Sequence, residues 1–585
     1  MTCFSSRCSF IIALVIGWTS CCWGQQSADR LLRLVPADAG VTLTIEDLRV
    51  HSREFFESPL SERIQGFPAV QRWYASDVYR QLDQAKQRLE KRLGESSTSF
   101  RDRLFGEAVV LSIVTPPGGR PEDSRGLFLV QMSDRKLLDR VLQSVNEAQL
   151  RRGELSKVSE RRYKTLTYTA RHYAGDQPRL PDYYVICDDR TFAWANSEEL
   201  INAVIDRNAA NQGGLAENAD FQKVRSRLPR SAAVSLYLKP RLLEQVFVSS
   251  SKPSSPHEEK IAKLIQRYLS AQKYVGAAIE WKDGLILHTQ EELEPEKVGS
   301  WYQRWSKVVA RPANLETLPP NTVAHASIQL DFPALEESIR ELIPDDQRAR
   351  YENGLLALKG ILLGQDLKQV LPKLGPRVSG TLIASASPEL TLSPVARVDL
   401  NGDETLAEAV TNGLRTTLAL YGMDESHGNG QLRLESRQEA GTSTMFLVPT
   451  TPFAFSVNRD RLLIGRNAAS LAIEPESAAG ARDEFAATRA AYFPQAESYL
   501  WVDIKAVRSL ADRHREMLIQ KMMKHDQKAR AVAQADLDKL LTFLGLFRSI
   551  YVTSELASGG QSLHRTLGLL SREAGGAPSP AASIR

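Results

Sequence analysis

Apolar and polar residues alternate with a period of two in many short runs along the chain, which predicts β-strands with one buried face. One run spans Val41 to Ile45, and a comparable run begins at Val323. Longer segments between these runs repeat apolar residues every three or four positions, as amphipathic helices do. Several strands interspersed with single helices and hairpin turns predict an α+β fold of antiparallel sheets, with the helices packed on one face.

Two of the predicted helices carry a clear apolar stripe, and we expect both stripes to be buried. The stripes comprise Ile261, Leu264, Ile265, Tyr268 and Leu269 on one helix, and Val78, Leu82, Leu89 and Leu93 on the other.

The same order of predicted elements occurs twice, which indicates an internal duplication. A hairpin turn at Asp188-Asp189-Arg190 has a counterpart at Asn458-Arg459-Asp460-Arg461, and the final hairpin turns at Asp283-Gly284 and again at Gly559-Gly560. Residue identity between the copies is poor, so the prediction rests on element order and turn positions. It places two similar halves at 25–311 and 312–572, with a boundary at Pro312 and a disordered tail at 573–585.

Each half opens on a short proline-containing motif. The openings are Leu-Val-Pro-Ala-Asp-Ala from Leu34 to Ala39 and Leu-Pro-Pro-Asn-Thr from Leu318 to Thr322. In these openings the chain resembles large exported bacterial proteins of unknown function, in which a Leu-Pro-Ala-Asp-Thr motif precedes a strand and a helix. The second opening departs from that motif at Pro320-Asn321. The resemblance implies architecture and export, and it carries no catalytic residues.

The first residues have the pattern of a secretory signal. Arg7 precedes an apolar run from Phe10 to Trp18, which is shorter than the roughly 20 residues needed to span a bilayer. The pattern predicts a signal peptide at 1–24, cleaved between Gly24 and Gln25, and a periplasmic or extracellular mature protein. Acylation of Cys21 is the alternative. The later sequence contains no uncharged run of spanning length.

The cysteine content argues against a reactive thiol, and the net charge argues against binding to nucleic acid. Four of the five cysteines lie in the leader. Cys187 lies in the strand-like apolar run from Tyr183 to Cys187, so we expect it to be buried and unreactive. Loss of Arg7 with the leader leaves 74 − 1 = 73 basic residues against 70 acidic ones. A chain so close to neutral is not expected to bind nucleic acid.

Sequence motifs for common chemistry are missing, which predicts no cofactor. The chain contains neither phosphate-binding glycine motif and no G-x-S-x-G, and Gly428-Asn429-Gly430 is better explained as a loop. His514-Arg515-Glu516 resembles the start of a zinc-protease helix, but Leu518 stands where the second histidine belongs. We therefore expect His514 and His525 to be exposed helix residues without a metal.

Two pairs of residues are candidates for an interface. His288 and His564 each follow a leucine on the last predicted strand of their half, and a histidine on a sheet surface is the simpler interpretation. Trp301 and Trp305 lie on one helix face, where they either stack on a sugar ring or pack on the sheet.

A basic cluster is a further candidate for binding. Lys521, Lys524, Lys528 and Arg530 are interleaved with methionines, which suits either a surface helix that binds anionic lipid or an ordinary amphipathic helix with a solvated face.

These observations lead to two functional hypotheses. The first is a non-catalytic envelope or secreted protein that binds a partner through its sheets or helices, with another envelope protein as one candidate. The second is an extracytoplasmic, hydrolase-like enzyme with a site assembled from dispersed residues.

Overall fold

A computed structural model of the chain describes residues 22–571 except 116–122, 176–180, 241–254, 282, 310–317, 320, 363, 385–391, 424–432, 440–441, 449–453, 468–470 and 472–478. Most of the signal peptide, Cys21, the Pro312 boundary, Gly428-Asn429-Gly430 and the tail after Ser571 lie outside the described residues. Two compact units are present: the first is Met1–Ser249 with Gln272–Glu292, and the second is Ser250–Ala271 with Leu293–Arg585. Among the described helices, none combines the length and the apolar composition that crossing a membrane requires.

The first unit contains nine α-helices and ten strands among the residues that the structure describes. The helices are α1 (Cys22–Leu34), α2 (Leu48–Phe56), α3 (Pro59–Gln65), α4 (Pro68–Tyr74), α5 (Asp77–Leu93), α6 (Ser97–Leu104), α7 (Arg135–Arg151), α8 (Glu198–Ala210) and α9 (Ala219–Arg227). The strands are β1 (Val41–Glu46), β2 (Ala108–Val114), β3 (Arg125–Gln131), β4 (Leu155–Tyr163), β5 (Leu166–Tyr173), β6 (Asp182–Ile186), β7 (Thr191–Ala195), β8 (Val234–Leu238), β9 (Gln272–Glu280) and β10 (Gly284–Leu293).

Local sequence explains several helix starts in the first unit. The Ser76 hydroxyl accepts from the backbone N–H of Tyr79 and caps α5, and the Asp134 carboxylate accepts from Leu137 and caps α7. Pro68 occupies the first turn of α4, where its missing N–H costs nothing.

The strands of the first unit follow the spatial order β4-β5-β6-β7-β3-β2-β1-β8-β9-β10. The pairs from β4 to β9 are antiparallel, and β9 also pairs with β10. In the centre of the sheet Leu43 lies opposite Leu111 on one side and Leu236 on the other. The expected α+β architecture with an antiparallel sheet is confirmed.

Helices pack against both faces of this sheet. Helices α1, α8 and α9 pack on one face in a core that includes Leu31, Leu32, Ile201, Val204, Phe221, Val110, Leu129 and Tyr237. Helices α6 and α7 pack against the opposite face, where Leu104, Leu137 and Leu138 contact Val130 and Phe192. The expectation that helices pack on one face holds for α1, α8 and α9 but not for α6 and α7. The reason is that alternate residues of β3 belong to two different cores, one on each face of the sheet.

The second unit contains eleven α-helices and ten strands among its described residues. The helices are α10 (Pro256–Ala271), α11 (Pro295–Val298), α12 (Ser300–Val309), α13 (Phe332–Leu342), α14 (Arg348–Ile361), α15 (Leu367–Val370), α16 (Glu404–Met423), α17 (Ala479–Tyr492), α18 (Ile504–Arg513), α19 (Arg515–Asp526) and α20 (Arg530–Leu544). The strands are β11 (Thr322–Gln329), β12 (Arg377–Ala384), β13 (Leu392–Asp399), β14 (Arg433–Glu439), β15 (Thr442–Val448), β16 (Ala454–Val457), β17 (Arg461–Gly465), β18 (Ser498–Asp503), β19 (Phe547–Ala557) and β20 (Ser562–Ser571).

The strand order of the second unit is β14-β15-β16-β17-β13-β12-β11-β18-β19-β20, and every pair in it is antiparallel. This order equals that of the first unit with ten added to each strand number. The compact units do not end where the expected halves end, since α10 and α12 belong to the second unit. The duplication and its boundary at 311/312 remain predictions.

Two expectations about amphipathic helices are wrong in part. Val78 and Leu82 of α5 are exposed, and so are Ile261 and Ile265 of α10, because the helical period identifies an apolar face but does not supply a neighbour to cover it.

The basic segment after Met517 forms two helices, since Gln527 adopts φ 52° and ends α19. Ile519 of α19 is buried against Ala533, Leu537 and Leu541 of α20. The second of the two interpretations, an amphipathic helix with a solvated face, therefore describes α19.

Candidate functional site

Helix α12 places three aromatic residues next to one another. It starts directly after Gly299, whose φ of 139° favours glycine. Trp301 and Trp305 are four residues apart and so lie on one helix face. The ring of Tyr302 lies 5.8 Å from that of Trp301 and 5.5 Å from that of Trp305, measured between centroids. A single helical turn thus supplies a continuous aromatic surface.

This aromatic surface is one wall of an open cleft within the second unit, which we call the aromatic cleft. Its volume is about 360 Å³, within the range of small-molecule sites. Helices α10, α12 and α13 and strand β20 surround it. The lining residues are Tyr268, Trp301, Tyr302, Trp305, Leu330, Asp331, Ala334, Leu335, Ser338, Leu563 and Arg565.

The three aromatic side chains differ in how their polar atoms are satisfied. The Tyr302 hydroxyl donates to the carbonyl of Gly560 at 3.0 Å, and Trp305 Nε1 donates to the carbonyl of Gln329 at 3.3 Å. Trp301 Nε1 is buried and has no hydrogen-bond partner among the described residues. A buried donor without an acceptor costs about 1–3 kcal/mol. This nitrogen is closed off from the cleft, because it packs beside Gly299, where an added Cβ atom would lie 3.3 Å from it.

The turn between β19 and β20 holds α12 in place. Gly560 adopts φ +92°, and a Cβ atom at this position would lie 2.7 Å from the Cβ of Ser306. The Ser306 hydroxyl donates to the carbonyl of Gly559 at 3.3 Å. Only glycine permits this approach, so the turn and the aromatic wall depend on the same residue.

A larger cleft of about 900 Å³ adjoins the aromatic cleft and shares Leu330 and Asp331 with it. Charged residues of α12 and α13 line this second cleft as ion pairs. Arg304 Nη2 lies 3.3 Å from a carboxylate oxygen of Glu337, and Arg340 Nη2 lies 2.8 Å from Glu336. The aromatic cleft therefore opens beside a polar, charge-balanced surface.

The structure brings Trp301 and Trp305 together, and both also pack against a core that contains Leu293, Val298 and Leu563. The two indole rings therefore line the cleft and also pack against the core. The packing interpretation of this pair therefore describes its position, and the binding interpretation stays a prediction.

The histidine candidates lie in different units. His288 belongs to the first unit, where its Nε2 is 3.1 Å from Oε2 of Glu280 on the adjoining strand. His564 of β20 follows Leu563 of the cleft, and its Nε2 is 3.2 Å from the hydroxyl of Thr566. Each histidine thus bonds to a residue of its own hairpin. The predicted cleavage residues Gly24 and Gln25 fall in the first turn of α1.

Comparisons with known proteins give little beyond this geometry. No described protein family matches the chain, and no curated protein matches it. Two crystal forms of TP0453 are similar in structure at 10% identity. Form IV covers 45% of this chain and 79% of its own, with a TM-score of 0.22. Form III covers 49% and 89%, with a TM-score of 0.25. Scores this low carry no argument about fold or function.

Two carboxyl groups with unusual properties were not predicted from the sequence. Burial raises the pKa of Glu46 to about 7, although Arg225 lies 3.7 Å away and opposes the shift. Burial also raises the pKa of Glu497 to about 7, and its Oε2 accepts from the backbone N–H of Leu556 at 2.8 Å. Their burial depends on residues distant in sequence, so no local signal marks them.

Three further predictions about reactive residues can be compared with the structure. Cys187 is buried, as predicted, and burial raises the pKa of its thiol to about 12. The expectation that His514 is exposed is wrong, since it lies buried between α18 and α19, whereas His525 is exposed. The part of the chain that the structure describes contains no group of three residues able to hold a metal ion.

Proposed function

We propose that this chain is an exported binding protein without catalytic activity, and that its aromatic cleft holds a small, largely apolar molecule. The observation that carries the proposal is the open cleft of about 360 Å³ lined by Trp301, Tyr302 and Trp305. Small-molecule sites commonly combine an apolar lining with a few fixed polar groups.

The residues that line the aromatic cleft indicate the polarity of its ligand. Tyr268, Leu335 and Leu563 line the cleft together with the tryptophans, so an apolar ligand is favoured by the area it removes from water. The ion pairs of the adjoining cleft allow a polar end to remain near solvent.

The proposal can be tested with the mature chain, the neutral fluorescent probe N-phenyl-1-naphthylamine and the competitor 1-decanol. We expect the probe to bind and decanol to displace it. Leu335→Glu places a charge in the cleft at a partly exposed position and should weaken both ligands about tenfold or more.

Leu356→Glu is the matched control, because Leu356 is an exposed leucine of α14 that does not line the cleft. It should bind both ligands like the unchanged chain. Equal affinities in the Leu335 and Leu356 variants, or no displacement by decanol, would contradict the proposed site.

Export is the second part of the proposal, and the signal pattern around Arg7 supports it. Protein recovered from the envelope or medium of an expressing bacterium should begin at Gln25, as measured by intact mass and N-terminal peptides. A diacylated Cys21 as first residue would replace cleavage at Gln25 with a lipid anchor. A chain that retains Trp18 and stays in the cytoplasm would refute export.

We also propose that the two halves, 25–311 and 312–572, arose by internal duplication. Support comes from the matched strand order and from equivalent aromatic pairs beneath β8 and β18. Phe221 lies 4.4 Å from Tyr237 and Phe485 lies 5.3 Å from Trp501, measured between ring centroids. A crystal structure should superpose β1–β10 on β11–β20 in this order; a different strand order in either unit would contradict the duplication.

A further inference from the structure

A second surface, in the first unit, is formed by exposed apolar and aromatic side chains of α4 and α5. Trp73 is 48% exposed, Tyr74 38%, Val78 62% and Leu82 56%. We call these four residues the α4–α5 surface. Exposed apolar side chains that cluster in this way mark an interaction site more often than single ones do.

The aromatic rings fix the two helices to each other. The Trp73 and Tyr74 rings lie 4.7 and 4.9 Å from the ring of Tyr79 in the first turn of α5. The Ser76 hydroxyl accepts from the backbone N–H of Tyr79 at 3.2 Å and ends the connection between the helices. The indole and phenol rings of α4 therefore lie against the first turn of α5, at the residue that follows Val78.

Basic residues flank this stripe. At about 100° per residue, Lys86 and Arg92 lie about 60° to either side of the line through Val78 and Leu82. Lys86, Arg88 and Arg92 are exposed. Residues 72–93 contain six basic and three acidic residues, and the acidic Asp83 and Glu90 lie further from the stripe, by about 100–120°.

We infer that the α4–α5 surface binds the face of a membrane that contains anionic lipid, with Trp73, Tyr74, Val78 and Leu82 inserted at the headgroup level and the basic residues over the phosphates. An apolar stripe with Lys and Arg on its flanks is the pattern of helices that lie in the membrane interface. Tryptophan and tyrosine are enriched at that depth. A protein partner would not require positive charge on both sides of the stripe, so the charge arrangement favours lipid.

The second unit offers a contrast at the equivalent place, between β11 and β12. Leu356 of α14 is 66% exposed, but residues 332–361 contain four basic and six acidic residues. An exposed leucine is present there without the positive charge. This segment therefore supplies a control in the same chain.

The test is sedimentation of the mature chain with vesicles of phosphatidylglycerol and phosphatidylcholine in equal amounts, and with phosphatidylcholine alone. We expect binding to the anionic vesicles, at least about tenfold weaker binding to the neutral ones, and loss of binding at high salt. Val78→Asp with Leu82→Asp, and separately Lys86→Glu with Arg92→Glu, should each lower the binding about tenfold or more. Leu356→Asp should bind like the unchanged chain.

The altered side chains are exposed, so circular dichroism should show the same folded content in all variants. Equal binding of all variants, or binding indifferent to phosphatidylglycerol, would overturn the inference. Dimerisation of the unchanged chain that Val78→Asp with Leu82→Asp abolishes, without vesicle binding, would instead assign the surface to a second copy. The aromatic cleft is not altered in any of these variants, so the result is independent of the proposed ligand site.

Discussion

The guanidinium of Arg171 lies over the indole ring of Trp194, with its central carbon 4.6 Å from the ring centroid. Arg171 is only 2% exposed. Its Nε donates to Oδ1 of Asn146 at 2.9 Å, and its Nη1 lies 3.4 Å from a carboxylate oxygen of Asp182. One buried cation therefore links β5, β6 and β7 to helix α7.

Replacing this cation should destabilise the first unit. Arg171→Met keeps much of the side-chain volume but removes the donor to Asn146 and the positive charge beside Asp182, and we expect it to lower the free energy of unfolding by about 3 kcal/mol. Urea denaturation followed by circular dichroism measures this. Arg135→Met is the control, because its pair with Asp189 at 3.0 Å is exposed and should contribute less than about 1 kcal/mol. Similar losses in both variants would show that burial of Arg171 is unimportant.

Gly560 and the adjacent Gly559 should respond differently to alanine. Both adopt positive φ, but only at position 560 does a Cβ meet the side chain of Ser306. Gly559→Ala should cost about 1 kcal/mol from backbone strain, and Gly560→Ala about 3 kcal/mol from strain and overlap together. The Tm of the two variants gives the comparison. A Gly559→Ala variant as unstable as Gly560→Ala would argue against the close approach of α12 to the turn.

Glu497 should make stability depend on pH in the opposite direction from an ion-paired carboxylate, whose pKa is lowered on folding. Burial raises its pKa from 4.5 to about 7, so the folded state binds the proton more tightly than the unfolded state. Stability should fall as the pH rises from about 4.5 to about 7 and then level off. Glu497→Gln retains an oxygen acceptor for Leu556 and cannot ionise, so it should be more stable than the unchanged chain at pH 8 and similar to it at pH 4.

Unfolding experiments across this pH range provide the check, with the difference in Tm between the unchanged chain and Glu497→Gln as the readout. A difference that is constant with pH would mean that the carboxyl group is not buried in the folded state.

Cys187 should be inert in the native protein. It is buried, and the pKa of its thiol is raised to about 12, so little thiolate exists at neutral pH. Ellman's reagent should react slowly with the native mature chain and rapidly once urea unfolds it. Fast labelling in native buffer would contradict the burial of the end of β6.

The sequence alone predicted those features that depend on local spacing. Side chains alternate across a strand and recur every three or four residues along a helix, so the α+β class and many element positions follow from the apolar pattern. The same reasoning put Trp301 and Trp305 on one face of α12. Cys187 was recognised as buried because the apolar run before it leaves no polar face.

Tertiary structure decided whatever depends on residues far apart in the chain. The pairing of β1 with β8, and of β3 with β7, joins segments that local periodicity cannot connect. The stripe of α5 was expected to be buried, yet Val78 and Leu82 are exposed, because amphipathicity specifies an apolar face and only packing supplies its partner. The aromatic cleft likewise requires α13 and β20 opposite α12. A side chain's period is set by its own backbone, whereas its environment is set by segments brought near it only when the chain folds.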